Sequence, residues 1–250
     1  MKGLEDFQKE YMVFVKGGKY KKKVFNLEVC KYPVTQSMWE NIMGYNPSRF
    51  KGANKPVEIV NWWEVLKFCN KLSEKYNLKP VYDLNKKEEG ILKINQLGGN
   101  SEYPNIADFR KTEGFRLPTE LEWEWFARGG EVAIQDGTFN CKYSGNDDID
   151  IVAWYSNNSK NQTHDVGTKK SNQLEIYDCT GNVYEWSYDT STSGYMSEEF
   201  PYIYDSTQKN RILRGGAWYN RRGECEVIKR VSNGGSVRSE ICGFRIVRTI

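Results

Sequence analysis

The stretch Phe115–Gly130, FRLPTELEWEWFARGG, carries the strongest local signal in the chain. Thr119 is followed three residues later by Glu122, which is the spacing of a capping box at the first turn of a helix. The pair Gly129–Gly130 closes the segment, and glycine commonly follows the last turn of a helix. The alternation of glutamate and tryptophan in EWEW favours core packing of both tryptophans. The stretch therefore predicts a helix that begins after Thr119 and ends before Gly129.

A second capped helix is predicted over residues 61–77, NWWEVLKFCNKLSEKYN. Asn61 and Glu64 repeat the capping-box spacing. Apolar residues then recur at the helical period: Trp62, Val65, Leu66, Cys69 and Leu72. Because Cys69 shares this apolar face, we expect its thiol to pack in the core rather than to react.

The remaining segments predict short elements. VTQSMWENIMG favours a helix started by Thr35 and stopped by Gly44. YMVFVKGGKY and KKKVFNLEVCKYPVT indicate two short strands separated by a turn at Gly17–Gly18. Residues 79–113 are polar and irregular, which indicates a surface excursion with one hairpin. Beyond Gly130 the pattern predicts turns and short strands with little helix.

Neither an internal repeat nor a linker divides the chain, and 250 residues can bury a substantial core. We therefore expect one domain over residues 1–250 of the α+β class, with two helices, short antiparallel strands and much ordered loop. The 8 tryptophans and 16 tyrosines are many for this length. Such residues bury most of their area but keep a polar tip, which suits loop-rich folds and binding surfaces.

Charge and hydropathy narrow the classes of partner. The 36 basic and 33 acidic residues leave a formal net charge of +3, which provides no general basic footprint, so we expect no nucleic-acid partner. The N-terminal twenty residues lack an apolar run long enough for a signal peptide or a membrane span. We expect no direct membrane insertion from this chain.

Cysteine and histidine counts restrict the possible chemistry. Six cysteines are present, none in a CxxC pair, and their spacings suit neither a zinc ribbon nor a compact disulfide scaffold. We expect most of them to be buried small hydrophobes. His164 is the single histidine, which excludes a three-histidine metal site and any catalytic dyad that needs another histidine.

Five stretches, taken in order, carry a resemblance to a known family. They are YPVTQSMWENIMGYNPSRFKGANKPVEIVNWWEVLKFCNKLSE, FRLPTELEWEWFARGG, YDCTGNVYEWSYD, LRGGAWYN and CGFRIV. Their order and spacing resemble the formylglycine-generating-enzyme/sulfatase-modifying-factor superfamily, a branch of the C-type lectin-like fold. The resemblance implies that fold, but the superfamily contains enzymes and proteins without catalysis, so each site must be checked.

The catalytic branch of this family implies two copper-binding cysteines five residues apart. Laid on this sequence, the second falls on Cys225 and the first on Asn220. An amide cannot replace a thiolate as a soft copper ligand or as a disulfide partner. Cys242, in the CGFRIV strand, is expected to pack in the core. We therefore expect no enzymatic activity and no redox cofactor; the alternative is a copper-dependent formylglycine-generating oxidase or a related sulfur-chemistry enzyme.

The C-terminal segment, residues 214–245, resembles the variable segment of diversity-generating-retroelement proteins, in particular the Treponema variable proteins. The resemblance implies a constant frame made of Arg214, Gly215, Gly216, Trp218, Cys225, Arg230, Arg238, Gly243, Phe244 and Arg245. It implies that the residues between them contact a ligand. These are Tyr219, Asn220, Arg221, Arg222, Glu224, Glu226, Lys229, Val231, Ser232, Asn233, Val237, Ser239, Glu240 and Ile241.

A rigid frame with heterogeneous side chains suits a non-enzymatic, receptor-like or adhesin-like binding protein. Rigid presentation lowers the ordering entropy that binding must overcome. We expect a protein or other macromolecular ligand, and we expect the native protein to be displayed at the cell surface or secreted. Two alternatives stay open at this point: the polar runs are solvated loops of an inert scaffold, or the protein is cytoplasmic.

The stretch YDCTGNVYEW resembles a calcium loop of the same family. The resemblance implies side-chain oxygen ligands from Asp178, Asn182 and Glu185, with backbone carbonyls from Gly181 and Val183. Hard oxygen ligands suit Ca²⁺, whose role would be structural. The alternative is a tight turn in which the aspartate and the asparagine bond their own backbone.

Overall fold

The computed structural model describes residues 3–84, 92–95, 97, 109–191 and 210–250. Within them the helices are α1 Leu4–Tyr11, α2 Gln36–Met43, α3 Trp62–Lys75, α4 Glu120–Ala127, α5 Gly130–Gln135 and α6 Ile149–Val152. The strands are β1 Met12–Val15, β2 Gly18–Tyr20, β3 Lys22–Val24, β4 Leu27–Cys30, β5 Tyr82–Asp83, β6 Lys93–Ile94, β7 Phe115–Arg116, β8 Tyr184–Thr190, β9 Asn210–Arg214, β10 Arg230–Gly234, β11 Cys242–Gly243 and β12 Val247–Thr249. The α+β class predicted from the sequence is confirmed.

The predicted helix starts are present. The Asn61 side chain accepts the backbone N–H of Glu64 at 2.9 Å, and the Glu64 carboxylate accepts the N–H of Asn61 at 3.0 Å. The same reciprocal pair forms at the start of α4. Thr35 accepts the N–H of Met38 at the start of α2, and Gly44 ends that helix. Each cap satisfies backbone donors that the first turn leaves without a partner.

The prediction of two helices was too low, because the described part of the chain contains six. Three of the additional helices, α1, α5 and α6, have four to eight residues, and none of them has the long apolar stripe on which the sequence reading relied. Only Phe7 of α1 is buried. In the part of the chain that the structure describes, no helix is both long and apolar enough to cross a bilayer.

The N-terminal strands also differ from the prediction. β1 pairs with β4 in the register Met12↔Cys30, and the β2–β3 hairpin is inserted between them. Gly17–Gly18 is therefore not the turn that joins two strands. Gly17 is required because a Cβ there would lie 2.3 Å from the carbonyl oxygen of Val24, and the hairpin turns instead at Lys21, whose φ is +46°.

Two four-stranded sheets organise the described residues. Their strand orders are β1-β4-β12-β7 and β10-β9-β8-β11. The pairs are antiparallel except β11 with β8, which runs parallel. The predicted hairpin of the 79–113 excursion is represented by the short β5–β6 pair; residues 85–91, 96 and 98–108 lie outside the described residues. β9 ends at Arg214 and β10 begins at Arg230, so both strands of the second sheet border the loop 215–229.

Aromatic packing joins the helices to the C-terminal strands. The Trp39 and Phe68 rings stack 5.4 Å apart, and Phe244 meets both rings edge-on. Trp123 and Trp125 of α4 are buried, as their alternation with glutamate indicated. The frame residue Phe244 thus anchors the end of the variable segment in the main core.

Candidate ligand-binding surface

The loop after β9 is closely packed, and its glycines leave no room for a side chain. At Gly216 the backbone has a φ of +77°, and a Cβ would lie 2.6 Å from the Cys225 sulfur. The indole N–H of Trp218 donates to the carbonyl oxygen of Glu240 at 3.0 Å. The loop is therefore held near Cys225 by the packing of Gly216 and near Glu240 by the hydrogen bond of Trp218.

Two frame arginines of the second sheet are held by glutamates of α4. Arg214 is buried and pairs with Glu120 at 2.9 Å and with Glu124 at 3.3 Å. Arg230 makes two hydrogen bonds of 2.8 Å to the carboxylate of Glu120. Two hydrogen bonds fix the guanidinium plane of Arg230 relative to the carboxylate plane of Glu120. Glu120 therefore sets the position of β9 and β10 against α4.

The other two frame arginines are paired in the same way. Arg245 is buried and donates to Glu185 at 2.8 Å and to the backbone of Tyr177, among other carbonyls. Arg238 makes two hydrogen bonds to Glu64 at the start of α3, at 3.0 and 2.8 Å. All four frame arginines therefore connect residues 214–245 to glutamates that lie outside this segment.

Most residues predicted to contact a ligand point into solvent. The exposed residues are Tyr219, Arg221, Arg222, Glu224, Lys229, Val231, Ser232 and Val237. The partly exposed residues are Glu226, Asn233, Ser239, Glu240 and Ile241. Tyr219 is 66% exposed, which is unusual for a large aromatic side chain in a folded protein. The structure therefore brings these side chains to the surface around one frame.

Asn220 departs from the prediction, because it is buried. Its side-chain oxygen accepts the N–H of Ala217 at 2.9 Å, and its backbone closes the same turn. Its carbonyl oxygen also accepts the N–H of Ser156. Asn220 is thus part of the frame rather than of the exposed set. A short polar side chain at a tight turn was the available signal for this role.

A groove of about 420 Å³ lies beside the exposed set. Its lining includes Trp218, Tyr219, Arg238 and Glu240. Glu240 forms an ion pair with Arg49, a residue outside the variable segment. One wall of the groove is thus attached to the loop 45–60, and the other wall is attached to α3 through Arg238.

Two exposed aromatic residues that the sequence analysis did not identify lie beside Glu64 of α3. Tyr45 and Trp63 are each 42% exposed. The Tyr45 hydroxyl donates to Glu64, the same carboxylate that holds Arg238, and Trp63 precedes that glutamate in α3. No sequence signal identified them, because Tyr45 and Trp63 lie far from residues 214–245 along the chain. We call Tyr45 and Trp63 the aromatic shoulder.

Cys225, the candidate catalytic thiol, is buried. It packs in a small cluster with Tyr143 and Tyr155, and burial raises the pKa of its thiol to about 12. Burial raises the pKa of Cys242 to about 12 as well. Since the thiolate is the reactive and metal-binding form, both positions favour the inert thiol. All six cysteines are free thiols and five are buried, as predicted.

The side chains of the predicted calcium loop bond to protein donors. Glu185 accepts from Arg245 and, at 2.7 Å, from the indole N–H of Trp123. Asp178 accepts the N–H of Gly167 at 2.7 Å, and burial raises the pKa of its carboxyl to about 6. Because these oxygens already accept hydrogen bonds from protein donors, they are not free to coordinate Ca²⁺ as placed.

Backbone contacts occupy the same turn. The Asn182 side-chain oxygen accepts from the N–H of His164, and its carbonyl accepts from the N–H of Trp218. Gly181 donates its N–H to Gly215, and Val183 is buried in the loop before β8. Among the described residues, no group of three His, Cys, Asp or Glu side chains is placed to hold a metal. Calcium stays a prediction of the resemblance, and nothing below depends on it.

Comparison with known proteins gives consistent matches. Residues 5–250 match the family model described as the sulfatase-modifying factor enzyme 1-like domain. Chaperone protein LppX of Paenibacillus barcinonensis is 33% identical over 245 aligned residues, with 86% of this chain and 81% of that protein covered. The formylglycine-generating enzyme of Streptomyces coelicolor is 28% identical over 157 residues, with 55% of this chain and 48% of that enzyme covered.

A solved structure extends the similarity to the fold. Treponema denticola variable protein 1 superposes with a TM-score of 0.76 at 30% identity, with 96% of this chain and 95% of that chain covered. The resemblance and the fold predicted from the sequence motifs are confirmed. The matches include both an enzyme and a variable protein, so they leave the activity of this chain to its own residues.

Proposed function

The chain belongs to the sulfatase-modifying factor enzyme 1-like family, and from that premise we propose that it is a non-catalytic scaffold that binds a protein ligand. The ligand would contact the exposed residues of 219–241 and the aromatic shoulder. The role requires access to the ligand, so surface display or secretion is part of the proposal.

One observation carries the proposal. The constant residues of 214–245 form buried or ion-paired contacts, whereas thirteen of the fourteen residues between them, all except Asn220, are exposed or partly exposed. Fixed positions and displayed positions are thereby separated residue by residue. Such a separation allows the displayed side chains to change at little cost in stability, because surface substitutions away from special contacts usually change it by about 0.5 kcal/mol or less.

The chemistry of the surface favours a protein as ligand. Tyr219, Trp63 and Tyr45 supply exposed aromatic area with few rotatable bonds. Arg221 and Arg222 are exposed and can form charged or stacking contacts. Tyrosine, tryptophan and arginine are the residues enriched at the centres of protein interfaces.

The proposal is tested by replacing five exposed residues together, Tyr219, Arg221, Lys229, Val231 and Val237, with a different mixed set. We expect the free energy of unfolding of this quintuple variant to lie within about 1 kcal/mol of that of the parent chain, because all five side chains are exposed. Binding to a captured ligand should be lost at the same time. Loss of folding in this variant would contradict the separation of frame and display.

The rival activity is copper-dependent oxidation at Cys225, which occupies the position of the second family cysteine. Asn220 stands where the first cysteine would be, and Cys225 is buried with a raised pKa. We expect no tight Cu(I) binding by the reduced protein and the same result for Cys225→Ser. Stoichiometric Cu(I) binding that disappears in Cys225→Ser would favour the oxidase instead.

A further inference from the structure

A second surface, unrelated to the variable segment, lies at the β2–β3 hairpin. The sequence from Lys16 to Lys23 contains five lysines in eight residues, KGGKYKKK. β2 and β3 pair only with each other in the part of the chain that the structure describes. The hairpin packs against α4, where the Tyr20 hydroxyl donates to Glu124. We call residues 16–25 the cationic hairpin.

Two of the five lysines have acidic partners. Lys16 pairs with Glu131 at 2.8 Å, and Lys21 pairs with the buried Glu124 at 3.0 Å. The other three, Lys19, Lys22 and Lys23, form no ion pair with any residue that the structure describes. The hairpin therefore presents an excess of positive charge that the described protein does not neutralise.

The register of the hairpin concentrates this charge. Lys19 lies directly opposite Lys23 across the two strands. Like charges at directly opposed positions destabilise a strand pair, because the side chains begin about 5 Å apart. An anion between the two ammonium groups would remove this repulsion.

The same two lysines line a cleft of about 690 Å³. Val24, Phe25 and Ile250 also line it, together with Asn26, so cationic and apolar side chains share the cleft. The Lys23 ammonium lies 5.2 Å from the centre of the Phe25 ring. A cleft of this composition fits an anionic group that is attached to an apolar body.

Exposed apolar residues lie at the same end of the sheet. Phe14 of β1 is 58% exposed and Ile250, after β12, is 53% exposed. Phe14 pairs with Glu28 and Thr249 pairs with Leu27 on the intervening strand β4, so both apolar side chains start beside the base of the hairpin. Exposed lysines beside exposed apolar residues are typical of peripheral membrane contacts.

We propose that the cationic hairpin docks on an anionic phospholipid surface, with a lipid phosphate between Lys19 and Lys23 and apolar contact from Phe25 and Ile250. Lysine serves as a compact point charge for phosphate. The contact is peripheral, because the hairpin is too short to span the bilayer.

The test measures co-sedimentation with vesicles of phosphatidylglycerol in phosphatidylcholine and with vesicles of phosphatidylcholine alone. The test variant is Lys19→Glu/Lys23→Glu. The matched control is Lys67→Glu/Lys75→Glu on the exposed face of α3, which changes the net charge by the same amount. Circular dichroism checks that each variant is folded, and Lys19→Gln/Lys23→Gln serves if the charge reversal unfolds the hairpin.

We expect the parent chain and the α3 control to bind the anionic vesicles, with binding reduced as salt rises from about 0.1 to 0.5 M. The hairpin variant should partition at least about twenty-five-fold more weakly, since each of the two lysines contributes roughly five-fold near the surface. Equal binding by the two charge-reversed variants would overturn the proposal. So would equal binding to both kinds of vesicle.

Two competitors separate the membrane from other sources of negative charge. Millimolar inorganic phosphate should leave vesicle binding in place, because it supplies no apolar contact. Complete competition by phosphate would assign the site to a free anion and overturn the membrane proposal. Binding of polyglutamate as tight as binding of the anionic vesicles would assign the hairpin to an acidic protein and overturn it as well.

Discussion

Glu120→Gln tests the frame at the residue where two of its arginines meet. Glu120 is 3% exposed, pairs with the buried Arg214 and holds Arg230 through both carboxylate oxygens. Removing one partner of a buried ion pair costs about 3–5 kcal/mol, because the remaining charge stays buried without compensation. Arg214 would retain Glu124 at 3.3 Å.

The neighbouring carboxyl of Asp189 reduces the expected loss in the free energy of unfolding. The backbone N–H of Glu120 donates to Asp189 at 2.6 Å, and the pKa of that carboxyl is raised to about 7, by burial first and then by the charge of Glu120. Glu120→Gln removes this repulsion along with the attraction to the two arginines. We therefore expect a loss near the lower limit, about 3 kcal/mol.

The assay is urea unfolding followed by tryptophan fluorescence and circular dichroism. The control is Glu224→Gln, an exposed position whose carboxylate accepts only the N–H of Arg221 among the hydrogen bonds described, a bond that an amide oxygen can keep. We expect the control to stay within about 0.5 kcal/mol of the parent. A Glu120→Gln variant within about 1 kcal/mol of the parent would refute the reasoning that buried ion pairs fix the frame.

Three further predictions follow from the same contacts. Gly216→Ala should lower the free energy of unfolding by about 1–3 kcal/mol, since its φ is positive and its Cβ meets Cys225, whereas Gly223→Ala, with open space around it, should not. In native protein Cys141, the one cysteine that is not buried, should react first with a thiol reagent, and Cys141→Ser should remove that fast phase. Burial raises the pKa of the Glu58 carboxyl from 4.5 to about 7. Its contribution to the free energy of unfolding is therefore present below pH 4.5 and is lost as the pH rises through 7. Glu58→Gln should flatten the pH dependence of stability between these values, and an unchanged pH dependence would contradict this assignment.

The sequence predicted those parts of the fold whose signals are local. The capping boxes at Asn61 and Thr119 each need only a four-residue spacing, and both form. The pairing of the N-terminal strands was not predicted, because it depends on contacts distant in sequence: β1 pairs with β4 across the inserted hairpin, and β4 pairs with β12. Gly17–Gly18 suggests a turn locally, but the structure uses Gly17 for close approach to Val24.

The candidate surface was predictable in outline but not in its supports. The alternation of frame and displayed residues in 214–245 is what the resemblance to diversity-generating-retroelement variable proteins implies. The partners of the frame arginines do not, because a glutamate in a helix ordinarily indicates solvent exposure. Glu120 and Glu124 of α4 are buried beside cations from distant parts of the chain: Arg214 pairs with both, Arg230 with Glu120 and Lys21 with Glu124. Asn220 is a frame residue for a local reason, its turn with Ala217, which the resemblance to variable proteins did not indicate.

The central claim is that residues between the frame positions can change and thereby set what the protein binds. The most direct measurement is selection from a displayed library randomised at Tyr219, Arg221, Lys229, Val231 and Val237, with a folded protein such as lysozyme as target. We expect the selection to yield folded binders whose affinity disappears when the five parent residues are restored. A library that folds but yields no binder above the parent chain, or one in which most members fail to fold, would contradict it.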